Sequence, residues 1–220
     1  ANHSTTMLPV ASDPIRILLG GRIDRVDIYR AKDGETVFVR IVDYKASKHS
    51  FPIKQLTMSE EDFKSEQKEL SKYIDIQLLL YLFTLCSPQN RSLFTARNGQ
   101  RPTEVRPASA IYLSPDERDR GGAILPTRSG MVLGEKELLA AATADGDVNY
   151  LPSVKRDTAD NLVGKGLCSR EQIEHMQRLL EVLICGVTAE MYTGHAHRTP
   201  GKDACKYCHL KEACSLHVPS

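Results

Sequence analysis

The sequence predicts an α/β fold, helices packed on a sheet, and three observations carry that expectation. Residues Ile15 to Tyr29 and Thr36 to Lys45 are rich in Val, Ile and aromatics, and Ala31-Lys32-Asp33-Gly34 between them carries an Asp-Gly turn signal. Together they make a long β-hairpin. Ser71 to Cys86 is apolar nearly all round at helical length, as expected of a helix buried against a sheet. Ala108 to Leu113 is a short apolar run that fits a buried third strand.

The other elements follow in order. Residues 1–12 are polar and unpatterned and are expected to be a disordered or artificially added start. Ser59-Glu60-Glu61-Asp62 opens a Lys- and Glu-rich stretch like a helix start. Gln77 and Tyr81 are four apart on the buried helix and share one face. Pro115 to Gly130, dense in charge and glycine, is expected to be a mobile surface loop. Leu138 to Ala144 reads as helix, and the stretch from there to Lys165 has no strong pattern.

Ser169 opens the clearest helix. Ser169 and Gln172 form a capping box, Ile173, Met176, Leu180, Leu183, Val187 and Met191 recur at helical spacing, and Gly194 ends it.

Composition narrows the function classes. With 220 residues, 41% hydrophobic and 26% charged, the chain has room for one domain with a small appendage. No apolar run approaches the ~20 residues of a membrane span, and the start lacks a secretory pattern, so the expected compartment is the cytoplasm, with no membrane partner. A net charge of +1 excludes an overall basic field, so any grip on nucleic acid is local. Six cysteines in a reducing compartment point to metal or redox chemistry where they cluster, at Cys205, Cys208 and Cys214. Cys86, Cys168 and Cys185 lie in or beside apolar stretches and read as buried small hydrophobes.

The hairpin also makes a candidate metal site. A two-residue turn at Asp33-Gly34 puts Ile28 opposite Val39 and Val26 opposite Ile41 on one face, continuing to Asp24 opposite Asp43 and Arg22 opposite Lys45. On the other face Tyr29 meets Phe38, and Asp27 meets Arg40 as a surface ion pair. Directly opposed carboxylates repel unless a cation lies between them or one is protonated. A hard divalent ion such as Mg²⁺ takes oxygen ligands this way. Lys45, two residues beyond Asp43 on the same face, can reach a phosphate bound there or the water that attacks it.

Gly21-Arg22-Ile23-Asp24-Arg25-Val26-Asp27, then Ile41-Val42-Asp43-Tyr44-Lys45, then Gln77-Leu78-Leu79-Leu80-Tyr81 resemble, in order, the motifs of RecB-type nucleases in the PD-(D/E)xK superfamily. The resemblance implies a restriction-endonuclease-like core, a mixed sheet flanked by helices, with a cysteine-rich C-terminal tail. It implies that Asp24, Asp43 and the backbone carbonyl of Tyr44 bind metal. Lys45 would then orient the nucleophilic water and stabilise the phosphorane, while Gln77 and Tyr81 line the DNA channel. Arg22, Arg25, Lys48, His49 and Lys54 lie near the site in sequence, as candidates for the DNA backbone.

The tail, Cys205-Lys206-Tyr207-Cys208 and then Cys214, is similar to the closing cysteines of the iron–sulfur staple in AddB- and RexB-type proteins. That implies a nuclease domain over 13–194, with 114–168 as an insertion, and a staple tail over 195–220. It implies a Mg²⁺-dependent exonuclease that processes double-strand breaks for recombination, acting on one strand unwound by an AddA-type helicase–nuclease subunit. In such proteins a fourth cysteine upstream completes a [4Fe–4S] cluster, and no cysteine precedes Cys86 here, so a four-thiolate cluster lacks one ligand unless Cys86, Cys168 or Cys185 substitutes. A helix that normally precedes the hairpin is also missing, so weak or no activity is expected of this chain alone.

Three alternatives stay open at this level. Zinc on Cys205, Cys208, Cys214 and either His209 or His217 would replace the cluster. A free-standing nuclease of CRISPR adaptation shares the fold and the closing cysteines. A DNA-binding scaffold without chemistry is the third, against which the intact Asp24, Asp43 and Lys45 argue.

Overall fold

The computed structural model describes residues 4–10, 13–19, 21–53, 57–59, 61–62, 76–118, 124–144, 146–194, 208–210 and 213–214, with side chains from 21 onward except 116–118 and 124–125. Its centre is a mixed five-stranded sheet. In chain order the elements are β1 (Ser4–Val10), β2 (Asp13–Leu19), β3 (Arg25–Arg30), β4 (Thr36–Tyr44), α1 (Gln77–Leu85), a 3₁₀ segment (Pro88–Phe94), β5 (Glu104–Arg118), β6 (Ile124–Leu133), α2 (Lys136–Ala142), the short strands β7 (Lys155–Arg156), β8 (Leu162–Val163) and β9 (Leu167–Cys168), and α3 (Arg170–Tyr192).

The main sheet runs β3-β4-β5-β6-β9. β3 is antiparallel to β4, β4 parallel to β5, β5 antiparallel to β6, and β6 parallel to β9. The parallel β4–β5 step needs a long crossover, and α1 lies within it, packed on β4 and β5. Leu78, Leu79 and Leu82 of α1 join Val37, Val39, Ile41, Ala110 and Tyr112 in one core. On the opposite face α2 is tied down where Glu137 accepts from the Tyr29 hydroxyl at 3.0 Å and from the Lys32 amide at 2.8 Å.

The hairpin register is as expected, from Arg25 opposite Val42 to Arg30 opposite Val37. Its turn is wider than two residues. The Ala31 amide donates to the Thr36 carbonyl at 2.9 Å, and Asp33 folds the loop by accepting from the Glu35 and Thr36 amides at 2.8 and 2.9 Å. Gly34 has φ +73°, the left-handed conformation that glycine adopts without strain.

Several expectations are corrected. Residues 15–29 are not one strand. β2 ends at Leu19 and β3 begins at Arg25, and β2 pairs with β1 in a separate antiparallel ribbon, so the start expected to be disordered contains a strand. Polar Ser4, Thr5 and Thr6 hid it, but a local ribbon needs only backbone pairing, and β-branched residues such as Thr5, Thr6 and Val10 supply the propensity. Pro115 to Gly130, expected as a mobile loop, contributes to β5 and β6, which pair from Ser109–Val132 out to Arg118–Ile124. Ladder bonds use backbone groups, so charged side chains at the projecting end do not prevent pairing. The stretch expected as an insertion therefore supplies β6 and β9 to the central sheet.

α1 agrees with the later part of the expected helix, and residues 71–75 lie outside the described residues. The expected start at Ser59 is present: the Asp62 amide donates to Ser59 Oγ at 3.0 Å. In α3 the Ser169–Gln172 capping box forms in both directions, at 3.2 and 2.8 Å. Ile173, Met176, Leu180 and Leu183 are buried as expected, but Val187 and Met191 are exposed, because the buried stripe formed with the described residues ends at Leu183.

Candidate active site

The site gathers at the end of β4, where the hairpin, α1 and β5 meet. Asp43, the second-to-last residue of β4, is 8% exposed. Its Oδ2 lies 2.9 Å from Lys45 Nζ. The Lys45 amide donates to the Leu113 carbonyl at 2.9 Å, which continues the β4–β5 alignment one residue past the strand and aims the lysine back across the sheet.

Asp24 reaches the same place by a different geometry from the expected one. The ladder stops at Arg25 opposite Val42, and Asp24 sits in a bend just before β3. Its Oδ2 accepts from the Tyr44 amide at 3.0 Å. The two acids are therefore not a ladder pair, nor are Arg22 and Lys45. Asp24 gains a backbone donor in place of an opposed carboxylate, a stabilising exchange for the charge.

α1 brings the third motif. Gln77 Oε1 lies 3.5 Å from Lys45 Nζ, and Gln77 Nε2 donates to the Tyr81 hydroxyl at 3.1 Å. The Tyr81 ring crosses so close to Gly21 that any side chain there would overlap it, so the glycine lets the loop carrying Asp24 lie against α1. Asp24, Asp43, Lys45, Gln77 and Tyr81 are thus brought together by three segments far apart in sequence.

The face away from Asp43 holds the loop in place. Asp27 accepts from Arg40 at 2.6 Å and from Arg25 at 2.8 Å. Burial pushes the Asp27 carboxyl up, but the Arg25 and Arg40 hydrogen bonds outweigh it and hold the group below its usual range. A lowered folded value means the stabilisation is present above the unfolded value of about 4 and disappears as pH falls through the folded one. The Asp27→Asn variant should thus be less stable at neutral pH by about 1 kcal/mol, discounted for the half-exposed Arg25. In urea titrations at stepped pH the gap should close below about pH 4. A gap independent of pH would contradict the assignment.

The candidate ligand set is oxygen only: two carboxylates and, by the motif, the Tyr44 carbonyl. That suits a hard divalent cation. Among the described residues no group of three or more His, Cys, Asp and Glu side chains converges as a metal site. Of the candidate tail ligands, Cys208 and His209 are exposed and Cys214 half-buried, while Cys205 and His217 lie outside the described residues, as does Lys54. Burial pushes the Cys86 thiol far up and the Cys168 thiol up to about 11. Arg22, Arg25 and Lys48 are exposed, Arg25 on the face away from Asp43, and His49 is half-buried.

Sequence patterns gave no reason to single out Tyr112. It lies in the expected third strand, but only the parallel register, which aligns it with Asp43, brings its ring beneath the Lys45 ammonium.

A family model described as the PD-(D/E)XK nuclease superfamily matches residues 1–215. The chain is also similar to proteins named as a subunit of an ATP-dependent helicase/deoxyribonuclease. It is 33% identical to that of Exiguobacterium sibiricum over 93% of the chain, and 25% and 24% identical to those of Alkaliphilus oremlandii and Ruminiclostridium cellulolyticum over 91%. It spans 17–18% of the length of these curated relatives.

Proposed function

The chain belongs to the PD-(D/E)XK nuclease superfamily, and from that premise we propose that it is the nuclease domain of a helicase–nuclease, hydrolysing DNA phosphodiester bonds as a Mg²⁺-dependent exonuclease during the processing of double-strand breaks for recombination. The observation that carries the reading is the buried Asp43 carboxylate, 2.9 Å from Lys45, with Asp24 held beside it by the next backbone amide. The names of the relatives support the helicase–nuclease context.

Asp24, Asp43 and the Tyr44 carbonyl would hold the Mg²⁺, which when bound supplies a Lewis acid for the phosphate and lowers the pKa of a water. The chain's own residues do the remainder. Asp43 keeps the Lys45 ammonium beside the reacting phosphate, where it donates to the attacking water and offsets charge on the pentacoordinate phosphorus. Gln77 steadies that ammonium and, with Tyr81, lines the channel for the strand. Arg22 and Lys48 meet the phosphate backbone, a local basic rim on a chain of net charge +1, while the candidate His49 packs on Tyr112 instead.

The substrate in this reading is one strand of an unwound end, delivered by an AddA-type subunit. Cys205, Cys208 and Cys214 contribute to a [4Fe–4S] cluster in the longer protein. No described helix is long and apolar enough to cross a membrane.

The longer protein with its partner subunit should degrade one strand of a DNA end in Mg²⁺, and chelation should abolish this. Degradation that survives chelation would refute the reading. Anaerobically purified longer protein should carry iron and sulfide with broad visible absorbance; stoichiometric zinc in their place would remove the cluster.

A further inference from the structure

Among the described residues, three groups approach the Lys45 ammonium. Asp43 Oδ2 is 2.9 Å away, Gln77 Oε1 is 3.5 Å away, and the centre of the Tyr112 ring is 5.1 Å away. The first two contacts come from residues of the three ordered motifs. The third comes from β5. Tyr112 is 0% exposed, a large aromatic set in the core at the register position beside Asp43.

The ring is itself held. His49 meets it edge-on, with ring centres 4.6 Å apart and planes at 70°, and Phe51 lies 6.3 Å away. The Phe51 amide donates to Ser129 Oγ at 2.8 Å, and Ser129 is the β6 partner of Tyr112. The segment after Lys45 therefore folds back over the ring that Lys45 itself sits on.

We propose that Tyr112 is a positioning residue for the lysine, its ring fixing where the Lys45 ammonium stands beside Asp43, with His49 holding the ring. A lysine is a point charge on four rotatable carbons, and attraction to one carboxylate leaves its direction loosely set. An aromatic face adds a preferred direction, and the attraction strengthens where water is excluded, as around a ring with no exposure. Placement matters because small displacements of a group that assists a reaction cost far more than they do in a resting ion pair. This inference rests on the proposed nuclease function.

The test uses the longer protein with its partner subunit, Mg²⁺ and a single-stranded DNA substrate. Tyr112→Leu keeps an apolar side chain but removes the π face, and should lower kcat about tenfold with KM little changed. Tyr112→Phe keeps the face and should stay within about twofold of the parent. His49→Ala alters a residue outside the core, so it tests the same role if Tyr112→Leu does not fold, and should lower kcat about threefold. In a Lys45→Ala background neither Tyr112→Leu nor His49→Ala should lower the rate further.

Equal losses in the Phe and Leu variants, or losses that add to that of Lys45→Ala, would overturn the positioning role while leaving the nuclease intact. A parent complex that degrades no DNA would instead overturn the functional reading, and the positioning role with it.

Discussion

In the proposed helicase–nuclease, replacing Asp43 with alanine is expected to lower Mg²⁺-dependent DNA degradation by at least about a thousandfold. The loss is large because one carboxylate serves two ends. It is the buried member of the proposed metal-binding pair and also the anion 2.9 Å from Lys45. Its removal takes that counter-charge from a half-buried ammonium whose contacts with Gln77 and Tyr112 are to neutral groups. Asp43→Asn separates the two roles, since an amide oxygen can still accept from lysine but brings no charge to a cation. It should be nearly as inactive as Asp43→Ala, with thermal stability closer to the parent. Single-turnover degradation of an end-labelled duplex, with unwinding followed in parallel, measures the effect. Unchanged degradation by Asp43→Ala, with the partner's own nuclease site inactivated, would remove the proposed site.

The second large effect is structural. Gly130→Ala is expected to destabilise the chain by about 2–4 kcal/mol. Gly130 is buried in β6 opposite Ile111, and a Cβ built there would overlap the Ala110 carbonyl oxygen, a backbone atom of the neighbouring strand. Relief by a small rotation, as available where the neighbour is a flexible side-chain tip, is denied because moving that carbonyl disturbs β5. The same strand carries Tyr112 and pairs with β4, so strain at Gly130 should also reach the site. Chemical denaturation reads the first effect and kcat the second. A variant as stable as the parent would show that β6 can stand off from β5 at no cost.

Much of the hairpin was legible because cross-strand chemistry is local. The Tyr29–Phe38 stack and the Asp27–Arg40 ion pair identify one register, and a slip by one residue would put those side chains on opposite faces. The α3 start was legible for the same reason, since its capping box lies within four residues. Gln77 and Tyr81 share a helix face by periodicity alone, and they do bond.

What remained illegible depends on atoms distant in sequence. Extending the register past Arg25 predicted a carboxylate pair, but the chain bends at Asp24 and the Tyr44 amide captures the side chain. The apolar spacing of α3 runs on to Val187 and Met191, yet burial among the described residues ends at Leu183, because periodicity assigns a face but not how far along it a neighbour packs. In the charged stretch after Pro115, composition pointed to a loop although backbone pairing decided for strands.

By itself, then, the sequence determined the residue types of the site, the hairpin that carries Asp27, Asp43 and Lys45, and the helix face that carries Gln77 and Tyr81. These follow from short-range stereochemistry, where alternation and helical periodicity assign each side chain a face. Only the tertiary structure decided that Asp24 answers to a backbone amide rather than to Asp43, and that Tyr112 lies beneath Lys45. Both depend on where the crossover sets β5 beside β4 and on where the ribbon before β3 turns the chain. Those placements come from packing the whole core, which no local pattern encodes.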